Sequence, residues 1–380
     1  MSNINELRKQ MDDVNSRMID LFAERMEISA QIADYKKENG LPVYDPERER
    51  AILTAVSEQA QGGLEGYARV LFQTLFDVSR SWQETRDGSA GAFGAAVEAA
   101  KESTPALFPQ RALVACQGVE GAYSQLACSK IFSAPSILYA KNFDGVFQMV
   151  QKGLCQFGIL PIENSSYGSV TAVYDLMKDH HFHIVRSLRL HIDHCLLVKP
   201  GTKPENIREI VSHGQAIGQC AGFLASMPGV KITACENTAE AAKLVAQSPR
   251  DDIASISSHN CAALYGLESI RDHIQDRENN YTRFICITRD LQVYPGANRM
   301  SMMFTLPHRP GSLYRMIAKF AALGLNITKL ESRPIAGRDF EFMFYLDVEA
   351  SLWQPEVVTL LGELAASGEY FSFLGNYSEV

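Results

Sequence analysis

Three groups of polar residues have types and spacings suited to chemistry, and the first lies on a long N-terminal helical pattern. Arg25 occupies a position in an otherwise apolar seam, where burying an unpaired guanidinium would be costly. Lys36, eleven residues later, lies within about 20° of the same helix face and about 16 Å along the axis. Arg8 lies about 25 Å from Arg25 and about 100° round the helix, so only a second chain brings it near. The pattern predicts a two-chain site for an anionic ligand, although a solvated bundle with charged flanks would also fit it.

The second group follows apolar strand patterns in the middle of the chain. Residues 161–168 read PIENSSYG and come directly after an apolar run, and residues 280–284 read NYTRF. Ser212 with Gln219, and Glu236, follow two further strand patterns. Because ligands of α/β folds bind at the carboxyl ends of strands, these residues predict a binding cleft. A plain loop with capping residues would account for the same types.

The third group is near the C-terminus. Gly311 lies before a helical pattern, in the sequence Pro310-Gly311-Ser312-Leu313, and residues 331–334 (ESRP) end a strand pattern. A glycine there lets a carboxylate approach the N–H groups at the helix start. The alternative is a glycine chosen for packing.

The elements that must position these groups form three units. Residues 1–87 are predicted to be all helix, and the long apolar seam of the first helix favours self-association. An Ala- and Gly-rich linker that contains some helix is predicted at 88–110. The seam residues keep a 3-4 spacing: Ile4, Leu7, Met11, Val14, Met18, Leu21, Arg25, Ile28, Ile32 and Tyr35.

From residue 111 to 290, short β-rich runs alternate with helical stretches, which predicts α/β layering with mostly parallel sheets. The long run 184–198 is expected to carry the chain from one sheet to a second, which leaves a cleft between two lobes. Residues 299–380 have the order βαββαβ of ferredoxin-like domains. The predicted strands of the α/β unit are 111–116, 136–140, 157–162, 184–198, 209–212, 231–235, 252–257 and 282–288.

The helical unit resembles the all-helical chorismate mutase domain over residues 4–84. The matching positions are Leu7-Arg8, Glu24-Arg25, Lys36, Pro42-Val43-Tyr44-Asp45, Arg48-Glu49, Ser79 and Gln83. The resemblance implies rearrangement of chorismate to prephenate without acid, base or metal, with Lys36 and Gln83 stabilising the ether oxygen. It also implies that Arg25, Arg48 and a second chain's Arg8 bind the carboxylates, and that Asp45, Glu49 and Ser79 bind the remaining polar groups.

The α/β unit resembles prephenate dehydratase over residues 111–290, most specifically in the triplet Thr282-Arg283-Phe284. The loop 117–124 departs from that family's pattern, since it lacks the usual proline and a hydroxyl residue at 122. The resemblance implies two periplasmic-binding-protein-like α/β lobes and loss of hydroxide and CO2 from prephenate. Since a threonine hydroxyl is a poor acid, we expect Thr282 to relay or orient the proton and Glu163 to be its ultimate donor. The expected substrate-binding residues are Asn164, Ser165, Ser212, Gln219, Glu236, Arg283 and Phe284.

The C-terminal unit resembles ACT regulatory domains that sense phenylalanine, although Ser312 and Tyr314 replace the usual alanine and valine. This resemblance implies a homodimer or higher oligomer and feedback inhibition by L-phenylalanine. The expected phenylalanine-binding residues are Gly311, Ser312, Leu313, Glu331, Ser332, Arg333 and Pro334.

Composition narrows the function further. The sequence has 380 residues, 46% hydrophobic and 21% charged, and a formal net charge of −8 without a basic block, which argues against nucleic acid as a partner. No apolar run is long enough to span a bilayer, and we expect no membrane association. The eight cysteines form no C-x-x-C pair, which favours reduced thiols and the cytoplasm. We expect neither a metal nor another cofactor.

Together the resemblances imply a bifunctional chorismate mutase/prephenate dehydratase whose partners are chorismate, prephenate and phenylalanine. One alternative is a non-catalytic ligand sensor, because both the two-lobed fold and the ACT unit serve such proteins. Another is a dehydratase that prefers arogenate to prephenate. The order of the three units along one chain favours the bifunctional enzyme.

Overall fold

The structure is a computed structural model. It describes residues 3–41, 45–86, 89–308, 310–335, 341–367 and 370–380, with the backbone alone at 81–86, 89–90 and 367. Residues 42–44 of the predicted mutase motif lie outside these ranges.

The N-terminal unit consists of helices, as predicted. Asp45 caps the second helix by accepting the backbone N–H of Arg48 at 3.0 Å, and Pro46 occupies the first helical position, where a missing N–H costs nothing. The helices are α1 (Ile4–Glu38), α2 (Pro46–Gln59) and α3 (Glu65–Arg86).

The apolar seam of α1 is largely uncovered within one chain. Met11 is 60% exposed, Leu21 62% and Tyr35 63%, whereas Met26 and Ala30 are buried. A helix of 35 residues is about 52 Å long, and α2 and α3 cover only part of it. This exposure leaves the seam available for another chain, as the sequence pattern predicts.

The predicted linker contains a helix, α4 (Ser89–Ser103). Val97 and Ala100 are buried, and both belong to the hydrophobic core of the C-terminal unit. Val97 and Ala100 share one helix face, so α4 buries that face against the C-terminal unit instead of forming an open connection.

The α/β unit has two lobes. The first contains β1 (Leu113–Gln117), α5 (Tyr123–Ile131), β2 (Ser136–Ala140), α6 (Phe143–Gln151), β3 (Phe157–Asn164), β4 (Gly168–Ser169), α7 (Thr171–His180) and β5 (His183–His191). The second contains β6 (Cys195–Val198), a 3-10 turn (Pro204–Asn206), β7 (Glu209–His213), α8 (Gly214–Gln219), α9 (Ala221–Ala225), β8 (Lys231–Cys235), α10 (Thr238–Gln247), β9 (Ile253–Ser257), α11 (Asn260–Tyr265) and β10 (Glu268–Arg271). The chain then returns to the first lobe in β11 (Tyr281–Thr288).

Two short segments connect the lobes, residues 192–194 and 272–280. The run 184–198 therefore does pass from one sheet to the other, as predicted. The second-lobe sheet has the order β10-β6-β9-β7-β8, and the first-lobe part of the larger sheet has the order β5-β11-β3-β1-β2. These sheets are mixed and not mostly parallel, because β5, β6, β10 and β11, which flank the crossovers, make antiparallel pairs.

The C-terminal unit has the predicted βαββαβ order. Its elements are β12 (Arg299–Thr305), α12 (Ser312–Ala322), β13 (Asn326–Pro334), β14 (Phe342–Glu349), α13 (Pro355–Ser367) and β15 (Phe371–Glu379). Its strands are ordered β13-β14-β12-β15, and β15 pairs in parallel with β5 through Ser378–Arg186 and Glu379–Ser187. Gly375 allows this close approach, because a Cβ there would clash with the backbone of Ile184. The C-terminal unit is thereby joined to the first lobe by a shared sheet.

Candidate active sites

In the helical unit, Arg25 is held by α3. Its Nη1 donates to the carbonyl of Leu75 at 3.1 Å and to the hydroxyl of Ser79, and its guanidinium lies 5.8 Å from the centre of the Phe76 ring. Burial lowers the pKa of Arg25 from its ordinary value. The structure thus brings two predicted site residues, Arg25 and Ser79, into contact. These contacts fix the partly buried guanidinium of Arg25 in one position against α3.

Glu49 of α2 lies beside α3, where it forms an ion pair with Arg80. Arg80 also pairs with Asp77, and neither residue was among the predicted site residues. An acid and a base three residues apart on a helix are commonly a surface pair, so the sequence offered no specific signal for them.

The other predicted mutase residues are spread along the helices. Arg8 is exposed near the start of α1 and Lys36 is half-buried near its end, 28 residues later and about 42 Å away. Arg48 is exposed, and the carboxylate of Asp45 caps α2. The side chain of Gln83 lies outside the described set. One chain therefore does not bring Arg8 and Lys36 to the same ligand.

The dehydratase candidates lie around a cavity between the two lobes. Its volume is about 270 Å³, and both lobes and the second crossover contribute to it. The lining residues are Ser166, Tyr167, Gly218, Gln219, Gln275, Asp276, Arg277 and Asn280.

Asn164 is the centre of a hydrogen-bond network beside this cavity. Its Oδ1 accepts the backbone N–H groups of Ser166 and Tyr167 at 2.9 and 3.1 Å, which fixes the orientation of the amide. Its Nδ2 donates to Thr282 Oγ1 at 2.9 Å and to Asn280 Oδ1 at 3.0 Å. Asn280 Oδ1 also accepts from Gln219 Nε2 at 3.3 Å. Three predicted residues, Asn164, Thr282 and Gln219, are thus joined through Asn280.

Glu163 and Arg283 lie on the opposite face of the sheet from this network. Successive residues of a strand point to opposite faces, and Glu163 pairs in register with Arg283 while Asn164 pairs with Thr282. The Glu163 carboxylate binds Lys329 at 3.1 Å and Arg283 at 3.4 Å, and Arg283 binds Asp347 at 2.7 Å. Both side chains face the C-terminal unit, which disfavours the predictions that Glu163 supplies the proton and that Arg283 binds substrate in the cleft.

Three other predicted dehydratase residues contact the protein itself. Ser212 is fully buried and donates to the carbonyl of Ile256 at 2.7 Å, and Phe284 is part of the first-lobe core. The hydroxyl of Ser165 ties its loop to the second crossover through Asn279. Their burial and these contacts favour a structural role for Ser212 and Phe284, and their predicted contact with substrate stays a prediction. Glu236 is exposed at the end of β8, and its carboxylate lies 3.8 Å from Lys141 of the first lobe.

In the C-terminal unit, Gly311 lies directly before α12 with φ +80°, and the nearby guanidinium of Arg315 binds the Pro310 carbonyl and the Ser312 hydroxyl at 3.2 and 3.1 Å. Arg315 also lies 3.6 Å from Asp77 of α3. Leu313 packs against the domain core. The predicted glycine turn is therefore next to a cation that contacts the helical unit.

The 331–334 motif faces the first lobe on one side. Glu331 accepts a hydrogen bond from Ser169 at 2.5 Å and pairs with Arg333 at 2.9 Å. Burial opposes the charge on Glu331, but these hydrogen bonds and the positive charges of Lys329 and Arg333 together outweigh it and lower the pKa of Glu331. Ser332 and Pro334 are exposed on the alternate face.

Among the described residues, one group of three possible metal ligands is close together. The ligand atoms of Cys195, His259 and Asp272 lie within 4.8 Å of one another. His259 and Asp272 are exposed and pair with each other at 3.2 Å. In the same described ranges, no helix is both long and apolar enough to cross a bilayer.

Comparisons with known proteins match the helical unit and the α/β unit. Residues 7–84 match the family model of chorismate mutase type II, and residues 114–292 match that of prephenate dehydratase. An arogenate dehydratase/prephenate dehydratase of Arabidopsis thaliana is 37% identical over 279 residues, which cover 70% of this chain and 73% of the relative.

Two further comparisons are with a bacterial relative and a solved structure. The bifunctional chorismate mutase/prephenate dehydratase of Escherichia coli strain K12 is 29% identical over 98% of this chain and 95% of its own length. The crystal structure of a prephenate dehydratase from Arthrobacter aurescens in complex with L-phenylalanine has a TM-score of 0.63 at 27% identity, over 70% of this chain and 89% of that one. The chain therefore belongs to the family of bifunctional chorismate mutase/prephenate dehydratases, which convert chorismate to prephenate and prephenate to phenylpyruvate.

Proposed function

We propose that the helical unit acts as a mutase only when two chains meet. Its reaction is a rearrangement, so binding and electrostatic stabilisation supply the catalysis. Lys36 and Gln83 stabilise the ether oxygen as the C–O bond breaks. The carboxylates are bound by Arg25, Arg48 and a second chain's Arg8, and Asp45, Glu49 and Ser79 bind the remaining polar groups.

The observation that supports this assignment is the fixed position of Arg25. Its contacts with Leu75 and Ser79 hold the guanidinium against α3 while leaving it partly exposed. A cation positioned before the ligand arrives needs little reorganisation during the reaction.

In the dehydratase cleft, we propose that Thr282 donates a hydrogen bond to the departing C4 hydroxyl and relays to it a proton from solvent, because a threonine hydroxyl is too weak an acid to be the ultimate donor. Thr282 Oγ1 accepts from Asn164, so its own hydrogen is available to the substrate. The C4–O bond breaks and water leaves, the carboxylate carbon departs as CO2, and the electrons of that C–C bond complete the aromatic ring. Gln219 borders the cavity and Glu236 lies at a strand end facing the first lobe, where both can bind the substrate's polar groups.

For regulation, we propose that the C-terminal unit is an ACT domain that binds L-phenylalanine between the 311–313 turn and the 331–334 strand end. Phenylalanine bound there would affect the dehydratase site through two ion pairs between the C-terminal unit and the first lobe. Lys329 binds Glu163, and Asp347 binds Arg283. Glu163 and Arg283 are the immediate chain neighbours of Asn164 and Thr282. The complex of the Arthrobacter aurescens prephenate dehydratase with L-phenylalanine supports this ligand.

The exposed seam of α1 supports a homodimer or higher oligomer. The eight cysteines support the cytoplasm as location, since all are free thiols in the structure, seven of them buried.

One assay tests the proposal. Purified protein receives chorismate alone, with and without phenylalanine, and mass spectrometry follows the products. Phenylpyruvate that decreases when phenylalanine is added is the expected result. Accumulated prephenate would contradict the dehydratase assignment, and unreacted chorismate from folded protein would favour a ligand sensor.

A parallel reaction with arogenate tests the substrate preference. The Arabidopsis thaliana relative carries both substrate names, so the ratio of kcat/KM for prephenate to that for arogenate is the informative quantity. We expect it to exceed one, and a ratio below one would assign this chain as an arogenate dehydratase.

A further inference from the structure

We propose that His194 is a positioning residue for the dehydratase reaction and acts through Gln219. The proposal rests on the proposed function of the cleft. It assigns His194 the task of fixing the direction of the hydrogen bonds that end at Thr282.

His194 is held rigidly in the first crossover between the lobes. It is 2% exposed and directly precedes β6. Its N–H donates to Gln275 Oε1 at 2.9 Å and its carbonyl accepts from the N–H of Ile274 at 3.0 Å. The edge of the Tyr123 ring packs near the imidazole, with 6.2 Å between ring centres. These contacts leave the ring little freedom to move.

The direction of the network follows from the backbone. Two backbone N–H groups fix Asn164 Oδ1, so Asn164 Nδ2 must face Asn280, and the atom that receives it is Asn280 Oδ1. The same Oδ1 accepts from Gln219 Nε2, which turns Gln219 Oε1 toward His194 Nε2 at 2.8 Å. A carbonyl oxygen only accepts, so His194 Nε2 carries a hydrogen.

His194 is therefore the donor at one end of the hydrogen-bond network, and Thr282 is the acceptor at the other end. With Gln219 held, Asn280 keeps its oxygen toward Asn164, and Asn164 keeps its donor on Thr282. Thr282 is then left with its own hydrogen for the substrate. Without the donor at His194, the amide of Gln219 is free to rotate, and its oxygen can oppose that of Asn280 beside the cavity.

Burial lowers the pKa of His194, so the ring is neutral near pH 7 and carries its single hydrogen on Nε2. Nδ1 has no hydrogen-bond partner in the described part of the chain. The imidazole thus works as a fixed donor and not as a charge.

The test compares three substitutions at His194. Gln places an N–H near the position of Nε2, Asn is too short to reach it, and Phe keeps a flat ring without a donor. We expect His194→Phe and His194→Asn to lower kcat for prephenate about tenfold with KM changed less than about threefold, and His194→Gln to stay within about threefold of wild type. His191→Phe is the matched control, since His191 is exposed, its Nε2 bonds the Glu278 carbonyl at 2.9 Å, and its contact with the Tyr281 ring, 5.0 Å between centres, is one that a phenyl ring can keep.

Turnover of chorismate to prephenate and the melting temperature report whether each variant is folded. A purely structural role would reduce kcat in proportion to lost stability and would give Gln no advantage over Asn. Equal losses for Gln and Asn would overturn the proposal, as would a His194→Phe variant with kcat within twofold of wild type.

A double-mutant cycle tests whether His194 acts through Gln219. In a Gln219→Met background, His194→Phe should lower kcat by less than about twofold, because the amide that it positions is gone. Losses that multiply in the double variant would overturn the proposal. A wild-type protein that turns over neither prephenate nor arogenate would instead overturn the proposed function of the cleft, and the role of His194 with it.

Discussion

The two predicted active sites differ in how far one chain assembles them. In the α/β unit, Asn164, Asn280, Gln219 and Thr282 form a continuous network from residues of both lobes. In the helical unit, Arg8 and Lys36 lie about 42 Å apart on α1, whose apolar seam is exposed. The residues of the predicted mutase site can therefore meet only when two chains associate. Those of the dehydratase site meet within one chain, where the two lobes face each other.

The largest expected effect breaks the mutase site alone. Arg25→Ala should lower mutase kcat about 10²- to 10³-fold, because it removes a fixed cation that binds a substrate carboxylate and holds the reactive geometry, while prephenate turnover persists. Arg8→Ala should have a comparable effect on the mutase. Stopped assays of chorismate and prephenate consumption measure both activities.

Mixing these two variants sharpens the comparison. Each heterodimer of Arg8→Ala and Arg25→Ala chains should contain one intact mutase site and recover up to half of the wild-type rate. Tagged chains purified by two affinity steps give verified heterodimers. Absence of recovery in them would show that each chain uses its own Arg8.

The second prediction concerns the two faces of β3 and β11. Thr282→Val should lower dehydratase kcat about 100-fold because it removes the hydroxyl, and Thr282→Ser should stay within about fivefold. Glu163→Gln should change kcat less than about fivefold, since its carboxylate faces Lys329. Steady-state kinetics with prephenate distinguish them, and a collapse in Glu163→Gln would restore Glu163 as the proton donor.

The third prediction uses the seam. Met18→Glu places a charge among the apolar residues of α1 and should dissociate the oligomer, lowering mutase activity about tenfold at micromolar protein. Ser16→Glu, exposed about 160° round the helix from Met18, is the matched control. Sedimentation velocity and both activities are measured. A Met18→Glu chain that stays associated would place the interface elsewhere.

The fourth prediction concerns the regulatory turn. Gly311 has φ +80°, and a Cβ there would lie 3.0 Å from Arg315 Nη1, so Gly311→Ala should raise the half-inhibitory phenylalanine concentration about tenfold. Gly324→Ala is the control, because Gly324 has φ +68° with no atom within 4 Å of its added Cβ. Inhibition curves are scaled to each variant's own rate without phenylalanine. Unchanged inhibition would move the sensor site away from this turn.

The smallest expected effect is on pH dependence. Burial lowers the pKa of His183 and of His194, so the unfolded chain takes up protons first as the pH falls below about 6.5. Stability contributed by the neutral rings is complete above that pH and decreases below it. Thermal melts between pH 7.5 and 5.5 should show a falling melting temperature, and His183→Phe should flatten the slope. A melting temperature that rises on acidification would contradict this.

Local sequence signals predicted the elements well where the pattern was strong. Strands 136–140 and 231–235 have the predicted bounds. The Asp45 cap could be predicted because it depends only on Asp45 and the proline that follows it. The packing of α4 could not be predicted from its small residues. Val97 and Ala100 are buried only because the core of the C-terminal unit lies against them.

The sequence by itself determined the order of the three units, the apolar seam, the Thr282 triplet and the strand alternation that separates Glu163 from Asn164. Only the tertiary structure decided which of those two faces the cleft, because β3 is covered on both sides and alternation has no preferred side. The tertiary structure also decided the contacts of four residues that the sequence did not single out as site residues, His194, Asn280, Lys329 and Asp347. Their roles arise from partners distant in sequence, and such contacts depend on how the two lobes and the C-terminal sheet meet.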